Sequence, residues 1–147
     1  MSVKNYPVGT HFSGPIKLGA SSMRLSTDVG GIAAAKVLTA DESNGQTYIL
    51  DGGTGVGITL PVATQGWRCK FIVGATFSTT DYVFTAETAG TLQGSVTEAG
   101  LVQLIADADT INLELATGVI GDWIEFSSDG TSIFVAGQLS GATATPA

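Results

Sequence analysis

Apolar and polar side chains alternate in short runs along most of this chain, and glycine, proline and Asp/Asn-rich turns cut the runs apart. Arg68–Val73 (RCKFIV) and Thr110–Ala116 (TINLELA) show the period-two alternation of half-buried strands. Gln46–Asp51 (QTYILD) and Tyr82–Ala86 (YVFTA) are rich in strand-forming residues. Lys36–Thr39, Val56–Leu60, Thr91–Gln93 and Leu101–Ala106 read as further strands, with Pro61 stopping the second of them. Asp41–Gly45, Gly52–Gly55 and Asp107–Asp109 read as turns. Trp123–Ser127 (WIEFS) and Ser132–Gly137 (SIFVAG) flank Ser128-Asp129-Gly130-Thr131, and Asp-Gly between alternating runs is a strong hairpin signal. Roughly nine or ten short strands at close spacing, with no amphipathic helix among them, predict an all-β fold, an antiparallel β-sandwich of jelly-roll or β-tulip-like kind. No repeat of fixed period is present, so a solenoid is not expected.

The pattern divides the chain. In residues 1–34, Pro7, Gly9, Gly14-Pro15, Gly19 and Gly30-Gly31 recur too often for a helix. Tyr6, Phe12, Ile16, Leu18, Met23 and Leu25 are spaced between these breaks, more large apolar groups than a plain linker carries. An extended N-terminal arm over 1–34 that docks its side chains on a partner is expected, followed by a β-sandwich domain over 35–140. Residues 141–147 (GATATPA) have no pattern and read as a flexible C-terminal tail.

Charge sharpens this division. Residues 1–36 hold Lys4, Lys17, Arg24 and Lys36 against Asp28, a net +3, whereas residues 37–147 hold Arg68 and Lys70 against twelve acids, a net −10. Phosphate backbones and anionic membrane surfaces both demand clustered cations, so neither nucleic acid nor membrane is an expected partner. Charged residues are 13% of the 147, low for a globular domain, while 44% are hydrophobic, enough for a core and too many for a disordered chain. The opening MSVKNYPVG lacks the apolar stretch of a signal peptide, and no apolar run reaches the roughly 18 residues of a membrane span. Cys69 is the single cysteine, which excludes an internal disulfide and fits assembly in a reducing cytoplasm.

Little in the sequence points to catalysis, and no enzyme activity, cofactor, metal or small-molecule substrate is expected. His11, the one histidine, lies in the arm, away from any scaffold that could orient it. Cys69 alternates with Arg68 and Lys70, so it should face the core as an inert thiol. The acids of Asp41–Gly45 and of Asp107 and Asp109 lack the spacing of a calcium loop. Gly52–Gly57 has glycine spacing like a phosphate loop without its Lys-Ser/Thr ending or following helix. Trp123, Phe126 and Phe134 are expected in the core or an interface. Trp67, Tyr48 and Tyr82 are candidates for a sugar- or receptor-binding surface.

Three stretches resemble the head-decoration (cement) proteins of tailed bacteriophages. The first is Thr10-His11-Phe12-Ser13-Gly14-Pro15. The second runs from Lys36-Val37-Leu38-Thr39-Ala40-Asp41-Glu42-Ser43 through Tyr48-Ile49-Leu50-Asp51 to Ile58-Thr59-Leu60-Pro61. The third is Gly121-Asp122-Trp123-Ile124-Glu125-Phe126 with the Ser128–Thr131 turn and Ile133-Phe134-Val135. The place taken by Ile133-Phe134 often carries Trp-Tyr in such hairpins, so the likeness is one of pattern. The resemblance implies a structural virion protein, a homotrimer made in the bacterial host cytoplasm. It would sit on the outer capsid surface and bind the major capsid protein after head expansion. Lys4, Tyr6, His11, Phe12, Ile16, Lys17 and Arg24 would then be the capsid-contacting residues of the arm. A phage fibre or surface module that binds a carbohydrate or receptor is the alternative.

Overall fold

The computed structural model describes residues 35–77, 79–114, 119–140 and 144–146. Within them are β1 (Lys36–Val37), α1 (Ala40–Ser43), β2 (Gln46–Leu50), β3 (Gly57–Leu60), β4 (Arg68–Val73) and β5 (Tyr82–Ala86). β6 (Leu92–Glu98), β7 (Leu101–Ala108), β8 (Thr110–Leu113), β9 (Trp123–Ser128), β10 (Ile133–Leu139) and β11 (Ala144–Pro146) follow. A six-stranded sheet in the order β2-β4-β9-β10-β6-β7 packs on a five-stranded sheet in the order β11-β8-β5-β3-β1. The fold is an all-β sandwich.

Strand alternation fills the space between the sheets. In β4, Cys69, Phe71 and Val73 are buried, and in β9, Ile124, Phe126 and Ser128 are. Tyr82, Phe84 and Ala86 of β5 meet them from the other sheet. Phe71 and Phe126 sit 4.7 and 5.2 Å, centroid to centroid, from Phe84 across the sandwich, and Tyr48 stacks on Phe71 at 5.3 Å. Tilted aromatic pairs of this kind add roughly 0.5–1.5 kcal/mol each beyond the area they bury.

The expected antiparallel order is corrected: both sheets are mixed. β1, β3 and β5 lie parallel to one another in one sheet, and β2 runs parallel to β4 in the other. The first five strands therefore pass alternately between the sheets as a flattened coil. β9 joins β4 and β10 as antiparallel neighbours, and β10 is parallel to β6. Alternation tells which side chains point inward and is blind to which strand lies alongside, so the coil left no mark in the periodicity.

Three local expectations are also corrected. Asp41–Gly45 is not a plain turn: its first three residues belong to α1, and Thr39 caps that helix, its Oγ1 accepting from the Glu42 N–H and donating to Glu42 Oε2 at 2.7 Å. β6 does not stop at Gln93 but continues through Gly94 (φ +133°) to Glu98, and Ala106 and Asp107 of β7 bulge opposite Gln93. Within the supposed flexible tail, Ala144–Pro146 pairs antiparallel with β8.

Candidate functional site

The two faces of the six-stranded sheet have different characters because strand parity assigns them. Trp123, Glu125 and Ser127 share the outer face of β9, since Ile124, Phe126 and Ser128 point inward. Register places Trp123 beside Ile72 and Gln138, and Glu125 between Lys70 and Ala136. The Lys70 ammonium lies 4.1 Å from the Trp123 ring centroid. Arg68, Lys70 and Glu125 border an open recess of about 260 Å³ with Gln46 and Thr47 on its other side. Lys36, Arg68 and Lys70 are the cations among the described residues, against twelve acids.

The far edge of the same sheet is apolar at the start of β7. Leu101, Val102 and Leu104 of β7 are 75, 66 and 71% exposed, and Phe134 of β10 is 44% exposed. Between this edge and the basic corner, the outer face carries Gln93, Ser95, Thr97, Ala136 and Gln138. Among the described residues β7 ends the sheet, so one side of its backbone meets no described strand of this sheet. Such an edge can accept an added strand from another chain. The run LVQLIA was legible as a strand; its place at an edge was not.

The residues singled out from the sequence fall in three places. Lys4, Tyr6, His11, Phe12, Ile16, Lys17 and Arg24 lie outside the described residues, as does the whole expected arm. Phe126 is core. Trp123 is not core but half-buried on the outer face, and Phe134 is not core but exposed beside the β7 edge. Glu125, two residues from Trp123 and of the same parity, was the signal that this face is wet.

The three aromatics considered for a sugar surface are buried, with Trp67 1%, Tyr48 5% and Tyr82 0% exposed. The indole Nε1 of Trp67 donates to Ser43 Oγ at 2.9 Å, and Ser43 Oγ donates to the Thr39 carbonyl at 2.6 Å, so this ring clamps α1 to β4. The Tyr82 hydroxyl donates to the Gly52 carbonyl, and burial pushes its pKa up. Cys69 is 2% exposed, and burial raises its thiol far above the ordinary value, so it is held neutral.

Acidic turn residues serve the backbone. Asp122, 3% exposed, accepts from the N–H of Val119 and, at 2.8 Å, from that of Ser140, joining the turn before β9 to the end of β10. Asp107 accepts from Gln93 and Asp109 from the Gly90 N–H. In the glycine-rich loop, Gly55 packs against the backbone of Thr80 and Asp81, and its N–H donates to the Thr80 carbonyl. Among the described residues no three His, Cys, Asp or Glu side chains are grouped to hold a metal, and no helix is long and apolar enough to cross a membrane. No protein-family model matches the chain, and comparison with curated proteins and with solved structures finds no match to either.

Proposed function

We propose that this chain is a structural virion protein of a tailed phage that decorates and stabilises the outer capsid surface as a trimer, with residues 1–34 docked on capsid subunits. The observation that carries the reading is the division of the molecule. An acidic β-sandwich exposes an apolar sheet edge at Leu101, Val102 and Leu104, and the chain's first segment has the opposite charge and its own spaced apolar groups. A body of like charge keeps decorated particles apart in solution. An apolar edge and a basic segment are both means of assembly. The likeness of three sequence stretches to phage cement proteins supplies the setting. The glycan- or receptor-binding alternative has lost the aromatics proposed for it, because Trp67, Tyr48 and Tyr82 are internal.

Co-sedimentation with expanded, undecorated heads tests the proposal. Saturable binding is expected, lowered when Lys4, Lys17 and Arg24 are replaced together by Gln. Absence of binding to heads overturns it.

A further inference from the structure

Cations are scarce in the described body, and they are not scattered over it. Lys36, Arg68 and Lys70 stand against twelve acids, yet all three lie on the flank of the six-stranded sheet that ends in β2. Arg68 and Lys70 are two residues apart on β4, so both project from the outer face while Cys69 and Phe71 point inward. Lys36 reaches the same flank from β1, its ammonium 5.4 Å from the ring of Tyr48 on β2. A body with an excess of acids thus turns one positive corner outward, and an acidic partner meets least repulsion there.

The recess at this corner narrows the chemistry of that partner. It holds about 260 Å³ and is bordered by Gln46 and Thr47 of β2, Arg68 and Lys70 of β4, and Glu125 of β9. Guanidinium and ammonium groups only donate hydrogen bonds, and carboxylates suit them. Glu125 is the one acid on the wall, opposite Lys70 in register, and an ionised carboxylate only accepts. A phosphate chain has no donor for Glu125 and is repelled by it. A polypeptide segment with acidic side chains carries both kinds of group: carboxylates for Arg68 and Lys70, and backbone N–H groups for Glu125.

Apolar contact for such a segment lies beside the recess. Register sets Ile49, Ile72 and Trp123 side by side on β2, β4 and β9, in the outward-facing row next to Thr47, Lys70 and Glu125. All three are half-buried, and the Lys70 ammonium, 4.1 Å from the Trp123 ring centroid, joins the two rows. Tryptophan and arginine are the side chains that most often dominate binding energy at protein interfaces. A second copy would bring its own excess of acids against those of the first, which assigns the segment to a different protein.

We propose that this corner docks an acidic segment of a partner protein, its carboxylates held by Arg68 and Lys70 and its apolar side chains laid on Ile72 and Trp123. That the partner is a capsid subunit rests on the decoration reading; the chemistry of the segment does not.

Titration of the full-length, isotope-labelled chain with a short peptide of alternating Glu and Leu, followed by NMR, tests this. The amide signals of Thr47, Arg68, Lys70 and Glu125 and the indole N–H of Trp123 should shift and saturate. The Trp67 indole, buried against Ser43, should not shift. Arg68→Gln combined with Lys70→Gln should weaken binding about tenfold or more. Both side chains lie on the outer face, so the rest of the spectrum should stay in place. Absence of saturable shifts, equal binding by a Lys-Leu peptide or by tripolyphosphate, or unchanged affinity in the double variant would each overturn the proposal. So would self-association of the wild type that the double variant abolishes, since a second copy would then be the occupant. No capsid enters the titration, so its failure is distinct from failure of the decoration reading.

Discussion

The Lys70 ammonium stands 4.1 Å above the Trp123 ring, on the outer face of the sheet whose inner face holds Phe126. A cation over an indole at a partly exposed position is worth roughly 0.5–1 kcal/mol. The Lys70→Gln and Trp123→Leu double-mutant cycle should show coupling of about that size. Phe126→Ala removes a ring wedged against Phe71 and Phe84 and should cost roughly 3–5 kcal/mol. Denaturant midpoints of the four variants decide the point. A Trp123 effect as large as that of Phe126 would place the indole in the core after all.

Ser43 holds the one short helix of the described residues in place by accepting from the buried Trp67 indole N–H. Ser43→Ala leaves that donor without its partner inside the protein, at an expected cost of about 1–3 kcal/mol. In a Trp67→Phe background the donor is gone, so the same Ser43 change should cost less. Thermal melts of the two singles and the double test this; strict additivity would show that the bond contributes nothing.

The β6–β7 hairpin turns through Ala99 at φ +46° and Gly100 at φ +88°. Two residues with positive φ between paired Glu98 and Leu101 match the type I′ turn, which favours Asn-Gly. Ala99→Asn should therefore stabilise the protein, by about 0.5–1 kcal/mol given the roughly 1–2 kcal/mol that a left-handed conformation costs an ordinary side chain. Gly94→Ala should do the opposite. At φ +133° a Cβ would run into the Val135 carbonyl oxygen of the neighbouring strand. A loss of about 1–3 kcal/mol is expected from such strain. Urea midpoints moving the other way would contradict both.

What could be read from the sequence was what depends on parity and turns. RCKFIV, YVFTA and WIEFS appear as strands β4, β5 and β9, and Ser128–Thr131 appears at the β9–β10 hairpin. Neighbour choice was hidden, because period-two runs carry no label for the strand beside them. Gly94 and Ser95 interrupted the run after Gln93, so β6 looked too short; the glycine continues the strand, paired with Val135 on one side and Ile105 on the other. Trp123 was expected in the core or an interface; its parity with Glu125 puts it on the outer face, which removes the core and leaves an interface. The exposed β7 edge had only one trace, the absence of any charge across LVQLIA.

Asp129 gives the β9–β10 hairpin a dependence on pH. Its Oδ1 accepts from the N–H groups of Thr131 and Ser132 at 2.8 and 2.9 Å, and these bonds hold the carboxyl below its ordinary pKa. A folded-state pKa lower than the unfolded value of about 3.9 means the unfolded chain takes up the proton first as pH falls. The stabilisation is thus fully present above that unfolded value and is lost as pH drops through the lower folded one. Asp129→Asn retains an acceptor oxygen and removes the titration. The stability difference between wild type and Asp129→Asn should stay constant from pH 7 to about 5 and shift against the wild type below about 4. Paired thermal melts across this range measure it. A difference that stays level down to pH 2 would show that the charge on Asp129 does not help to hold the turn.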